Sequence, residues 1–156
     1  MVSRTFPVNH PRKGEETGFP DAIVTEDKRH TCRGNYALWA KREAEVQAGR
    51  AVISLRYWAG KPYASKQVEF CVLNYIHVQK VHVYQINRTM FDGTFIDYFN
   101  KKTLIFIEDS IKPLKRPELF AAHDGLSMAD FNAWFKKPGE DMACIQFTQF
   151  SYTVIK

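Results

Sequence analysis

Residues Asp27–Gln67, which read DKRHTCRGNYALWAKREAEVQAGRAVISLRYWAGKPYASKQ, carry the clearest structural signals in the chain. The dipeptide Gly34-Asn35 predicts a turn and a helix cap, because an asparagine oxygen can accept a hydrogen bond from the first helical turn. Strong helix formers fill residues 36–48, and a glycine follows, as is typical of a helix C-terminus. Residues 51–58 alternate with a period of two, which predicts a β-strand.

The rest of the chain is predicted to form short strands joined by turns. Residues 67–87 are β-rich but too long for one flat strand, and a turn is expected at Asp92-Gly93. Further strands are expected at 94–98, 103–107 and 143–155, and further helices at 19–23 and from Ser127 onward, where Ser127 and Asp130 have capping-box spacing. Pro113 and Pro117 predict an irregular connection between the last two of these strands. Together these elements predict an α+β fold: a closed, mixed β-barrel of about five to seven strands, flanked by two or three short helices.

Length and composition favour one domain over residues 1–156, with an extended, proline-rich arm at 1–18. The three cysteines are far apart and form no C-x-x-C pair, which argues against a disulfide framework and favours a reduced, cytoplasmic setting. Neither a metal nor another cofactor is expected, since His77 and His82 lack a recognisable ligand spacing. No apolar run approaches the roughly 18 residues of a spanning helix, so no membrane partner is expected.

The net charge of +5 favours encounter with anionic partners without specifying a site. At one end of the quoted stretch, Lys28, Arg29 and Arg33 surround Thr31. At the other end, basic and aromatic residues interleave, namely Arg56, Trp58, Lys61, Tyr63 and Lys66. Cations that neutralise phosphates, combined with rings on which bases stack, predict a nucleic-acid or nucleotide partner.

The segment Lys28–Arg33, KRHTCR, resembles the K-x-x-T-x-R signature of ASCH domains, which belong to the PUA-like β-barrel superfamily. Ile53–Trp58 is similar to the first barrel strand of that family, and Asp124–Phe131 resembles its late acidic residue followed by a helix. The resemblance covers most of the chain from about Phe19 onward. It implies a PUA-like mixed barrel with a pocket for RNA, a nucleotide or a modified base.

A bacterial branch of that family acts as an acetylcytidine amidohydrolase that uses a lysine, a threonine and an acidic residue. The resemblance implies these roles for Lys28, Thr31 and Asp124, although the branch has a glutamate where this chain has aspartate. A threonine hydroxyl needs an adjacent base to attack an amide, and a lysine with a lowered pKa can serve as that base. Because Lys28 and Thr31 would face opposite sides of a regular strand, we expect a turn at Arg29-His30.

Three classes of function stay open at this point. The first, which we favour, is a protein that binds RNA or a modified nucleobase and does not convert it to a product. Arg33 and the interleaved basic and aromatic residues at 56–66 would bind this ligand. The second is the amidohydrolase, and the third is a scaffold that binds another protein through residues 1–18. Plainer interpretations are also open: Lys28 in an exposed ion pair, Trp58 and Tyr63 packed together in a hairpin turn, and Asp124 in a turn before a helix.

Overall fold

The computed structural model describes residues 1–91, 94–136, 139–154 and 156, and for residues 88–91, 95–101 and 140 it describes the backbone alone. The strands of this part are β1 His30–Arg33, β2 Ile53–Trp58, β3 Gln67–Leu73, β4 His77–Phe91, β5 Thr94–Ile107 and β6 Gly139–Gln146. The helices are α1 Phe19–Val24, α2 Tyr36–Gln47, α3 Pro117–His123 and α4 Met128–Trp134. The predicted α+β class and the strand number are therefore confirmed.

The strands form two antiparallel sheets. The larger sheet has the order β1-β6-β4-β5, and the smaller one is the pair β2-β3. Within the described residues, β1 and β5 are left at the edges of the larger sheet, so the closed barrel of the prediction is not found. Every pairing between these strands is antiparallel, which also corrects the expectation of a mixed sheet.

The helix α2 begins where local chemistry predicts it. The Asn35 side chain accepts a hydrogen bond of 3.1 Å from the backbone N–H of Leu38, and its own φ of +64° belongs to the left-handed region that asparagine tolerates. Gly49, with φ +68°, follows the end of the helix. The predicted cap and stop are therefore confirmed.

The helix α3 was not predicted, and with it the described residues contain four helices. Pro113 and Pro117 had suggested an irregular connection, yet Pro117 occupies the first turn of α3, where a missing N–H costs nothing. Phe120 and Ala121 on this helix are fully buried. Burial of a large aromatic side chain therefore stabilises a helix that is too short to be recognised by its sequence period.

Two predicted strand boundaries also differ from the structure. The β-rich run 67–87 divides into β3 and β4 around residues 74–76. The last strand ends at Gln146 because the chain then leaves the ladder, and the backbone N–H of Tyr152 bonds to the side-chain oxygen of Gln79 at 2.7 Å instead. The predicted turn Asp92-Gly93 and the predicted strand end at Ile155 lie outside the described residues.

Hydrophobic clusters cover both faces of the larger sheet. On one face, buried side chains of β4 and β5 pack against α3 and α4, with Phe120 and Phe131 at the centre. On the other face, Val46 of α2 packs against Ala143 and Ile145 of β6. Residues 1–18 contact the first cluster through buried Val2 and Phe6. In the described part of the chain, no helix is long and apolar enough to cross a membrane.

We predict that Phe120→Ala lowers the free energy of unfolding by about 3–5 kcal/mol, because it leaves a cavity beside the sheet. The neighbouring Leu119 is 39% exposed, so Leu119→Ala should change the free energy of unfolding by about 0.5 kcal/mol or less. Urea denaturation followed by circular dichroism measures both values. Equal losses in the two variants would contradict the packing of α3 described above.

Candidate functional site

A buried ion pair lies at the centre of the site. Lys28 is 2% exposed and Asp124 is 4% exposed, and the lysine ammonium donates to both the carboxylate and the backbone oxygen of Asp124. Lys28 lies in the bend between α1 and β1, where its backbone N–H donates to the carbonyl oxygen of Ala22 at 2.8 Å. Asp124 is the C-terminal cap of α3. The interpretation of Lys28 as part of an exposed ion pair is therefore wrong.

Desolvation dominates the electrostatics of this pair. Burial raises the pKa of the Asp124 carboxyl above its ordinary value, while the ammonium of Lys28 acts in the opposite direction. The lysine stem fits because residue 125 is glycine: a Cβ atom there would lie 3.1 Å from Cδ of Lys28 and 3.2 Å from the ring of Phe19. The ammonium also lies 4.3 Å from the centroid of the Phe19 ring.

Thr31 lies on β1, close to this pair. The strand begins at His30, and the turn and bend before it cover residues 25–28, so the predicted turn at Arg29-His30 is displaced toward the N-terminus. Lys28, Thr31 and Asp124 line one small cavity of about 20 Å³. Such a volume has room for about one water molecule and excludes a pyrimidine.

A much larger cleft of about 550 Å³ opens between α2, β1 and β2. Thr31 and Arg33 of β1 line it, and α2 contributes Trp39, Lys41 and Arg42. The guanidinium of Arg42 lies 4.5 Å from the centroid of the Trp39 ring. Trp39 is partly buried: it packs against the cluster that contains Val46, and it also lines this cleft.

The residues of α2 in this cleft were missed because lysine and arginine are common on the exposed face of any helix. Trp39 and Arg42 are three residues apart, so they are neighbours on the surface of a helix. This spacing is the signal in the sequence that points to a shared surface.

The interleaved basic and aromatic residues lie elsewhere. Arg56 forms an ion pair of 3.1 Å with Glu69 on the neighbouring strand. The rings of Trp58 and Tyr63 contact each other, with centroids 5.4 Å apart, and Tyr63 is 91% exposed. Both rings line a second cavity of about 610 Å³ against residues 1–8, while Lys61 and Lys66 are exposed beside it. Of the predicted ligand-binding residues, only Arg33 therefore lines the cleft beside α2.

Behind β1 lies a group of buried and partly buried polar side chains that the sequence did not indicate. The Tyr152 hydroxyl lies 3.2 Å from Nδ1 of His30 and 2.9 Å from Nδ1 of His123. Burial and the positive charge of Lys28 lower the pKa of His30 well below its usual value, and burial raises that of the Cys32 thiol. His30, Cys32 and Cys144 are the residues of the described chain whose side chains can hold a metal.

Comparisons with known proteins found no match: no protein family, no curated protein and no solved structure is similar to this chain. The site geometry and the resemblance in the sequence are therefore the grounds for assigning a function. The geometry combines a buried Lys28–Asp124 pair with an accessible, cationic and aromatic cleft, and Thr31 lines both cavities.

We predict that Lys28→Met lowers the free energy of unfolding by about 3–5 kcal/mol at neutral pH, because Asp124 is then buried without its partner. The double variant Lys28→Met/Asp124→Leu should recover most of the loss, since two apolar side chains replace the pair. Arg116→Ala, which breaks an exposed ion pair with Glu118, serves as the control and should have little effect. Chemical denaturation measures all three, and a double variant less stable than Lys28→Met would contradict the burial of the pair.

Proposed function

We propose that this protein binds RNA or a nucleotide, and that a nucleobase with its phosphate occupies the cleft between α2, β1 and β2. The convergence of Arg33, Trp39 and Arg42 on this cleft carries the proposal, and its volume of about 550 Å³ falls within the range of about 300–1,000 Å³ that small-molecule sites occupy. The small cavity beside Lys28 does not have this capacity.

Charge in the cleft favours an anionic ligand. Arg33, Lys41 and Arg42 line it, against the single carboxylate of Glu45. Arg33 donates to the backbone oxygens of Cys32 and Met1, both at 3.1 Å, which orients its guanidinium. A guanidinium can donate five hydrogen bonds, so donors remain for a phosphate.

Aromatic groups in the same cleft favour a planar base. The guanidinium of Arg42 over the Trp39 ring combines two flat groups of the kind on which unpaired bases stack. Phe147 adds an apolar wall from the segment after β6. The exposed loop with Lys61, Tyr63 and Lys66 would then contact the backbone of a longer single strand.

The resemblance to ASCH domains supports the same proposal. Thr31 and Arg33, which match the K-x-x-T-x-R signature, line the cleft, and Lys28 lies at the adjoining small cavity. We also propose that the fold is related to PUA-like domains. The two open sheets described above depart from the closed barrel of that superfamily.

We predict that cytidine monophosphate and a short single-stranded RNA quench the fluorescence of Trp39 and bind with an affinity that falls with salt. Arg42→Ala should weaken binding at least about tenfold, by loss of a charged hydrogen bond and a stacking surface. Arg116→Ala removes the same charge far from the cleft and should leave affinity nearly unchanged. Fluorescence or calorimetric titration measures each constant, and equal weakening in both variants would count against the cleft.

A second candidate, hydrolysis of an acylated cytidine, is favoured by one observation: Thr31 lines both the cleft and the small cavity that holds Lys28 and Asp124. A base bound in the cleft would present its acyl group to Thr31. Lys28 would first pass a proton to the Asp124 carboxylate, whose pKa burial raises. The hydroxyl oxygen would then bond to the acyl carbon as the neutral Lys28 amine takes its proton, and the C–N bond would break as the leaving nitrogen receives that proton. Water would then hydrolyse the threonine ester and release the carboxylic acid.

Incubation of the protein with N4-acetylcytidine, followed by chromatography for cytidine, tests this reaction. We expect turnover that Thr31→Val lowers by about 100-fold or more, since no nucleophile remains, while binding of cytidine monophosphate persists. Thr153→Val alters an exposed threonine and should behave like the unaltered protein. If Thr31→Val forms cytidine at the same rate as the unaltered protein, the enzymatic candidate is wrong and the binding proposal still stands.

A further inference from the structure

Three side chains with metal-binding atoms converge behind β1. His30 and Cys32 are two residues apart on one strand, so their side chains share a face of the sheet. Cys144 lies directly opposite Cys32 in the neighbouring strand β6. All three residues are buried, and their donor atoms lie within 4.8 Å of one another.

One nitrogen atom of this group lacks a hydrogen-bond partner. Nε2 of His30 is fully buried and has no hydrogen-bond partner, although buried polar groups in proteins are nearly always bonded. Nδ1 of the same ring lies 3.2 Å from the Tyr152 hydroxyl. If Nδ1 donates to that oxygen and the hydroxyl donates to His123, the lone pair of the His30 ring is on Nε2. A hydrogen bond at the far nitrogen is what orients a histidine that binds a metal.

We propose that His30, Cys32 and Cys144 bind a Zn²⁺ ion through Nε2 and the two sulfur atoms. Two thiolates neutralise the charge of the ion, so the complex adds no net charge to a buried environment. Nitrogen and sulfur are the donors that Zn²⁺ prefers, with bonds of about 2.0–2.3 Å, and tetrahedral donors are then about 3.5 Å apart. Since the donor atoms lie within 4.8 Å of one another, their separations need to close by at most about 1.3 Å to reach this geometry.

Three protein donors leave the fourth position of a tetrahedral ion for a further ligand. Cys32 also lines the small cavity of about 20 Å³ that Lys28 and Asp124 line, which has room for about one water-sized ligand. A disulfide between Cys32 and Cys144 would explain the pairing of the two thiols, but it would leave Nε2 of His30 without a partner. Zinc binding accounts for all three residues.

None of the three proposed zinc ligands lines the proposed nucleotide cleft, to which β1 contributes Thr31 and Arg33 instead. Loss of zinc would therefore leave the affinity for cytidine monophosphate measurable by itself. The two proposals can fail separately.

The test uses the full chain, reduced with a phosphine, freed of metal with a chelator and titrated with Co²⁺ as a spectroscopic substitute for Zn²⁺. We expect saturation at one equivalent, with a thiolate-to-cobalt charge-transfer band of the intensity of two sulfur ligands and visible bands of a tetrahedral ion. Zn²⁺ should abolish these bands by displacement and should raise the melting temperature of the protein. Absence of the charge-transfer band in the unaltered chain would overturn the proposal without recourse to any variant.

Variants then assign the ligands. Cys144→Ser should weaken Zn²⁺ binding by more than about 100-fold. Tyr152→Phe, which removes the hydroxyl that contacts His30 and His123, should weaken it by about 10–100-fold. Cys71→Ser changes the remaining cysteine, on β3, and should bind like the unaltered protein. Far-ultraviolet circular dichroism establishes that each variant is folded. A charge-transfer band that survives in Cys144→Ser, or disappears in Cys71→Ser, would assign the metal to other residues and overturn the site.

Discussion

The buried contact between Lys28 and Asp124 constrains the rest of the site. These residues are 96 positions apart in the chain, and each would be costly to bury as an isolated charge. Their contact joins the bend before β1 to the end of α3, and Gly125 leaves the space through which the lysine stem passes. The position of β1 at the edge of the larger sheet therefore depends on a polar contact as well as on apolar packing.

Side chains alternate between the two faces of the four-residue strand β1. Two different chemical environments therefore lie on opposite sides of one strand. His30 and Cys32 face the dry side beneath α3, where burial lowers the imidazole pKa and raises the thiol pKa. Thr31 and Arg33 face the cleft beside α2, which is open to solvent and lined by cations. The same segment KRHTCR thus supplies both the proposed nucleotide site and the proposed zinc site.

Local chemistry predicted the elements whose signals lie within a few residues of one another. The Asn35 cap of α2, the alternation in β2 and the Ser127 cap of α4 all depend on neighbouring side chains and backbone groups. The prediction failed at α3, whose stability comes from burial of Phe120 against distant strands. The cleft beside Trp39 was also missed, because helical spacing does not tell that a residue packed against the core borders a cleft as well.

By itself, the sequence determined the α+β class, most of the helix and strand positions and the cationic segment around Thr31, since backbone periodicity and capping are local properties. The family resemblance named Lys28 and Asp124, and only the tertiary structure brought them into contact. The tertiary structure also placed Cys144 opposite Cys32 and brought Arg33 and Arg42 to one cleft. Strand order and helix packing decide such pairings, because residues about 100 positions apart meet only where loop closure and burial of apolar surface allow it.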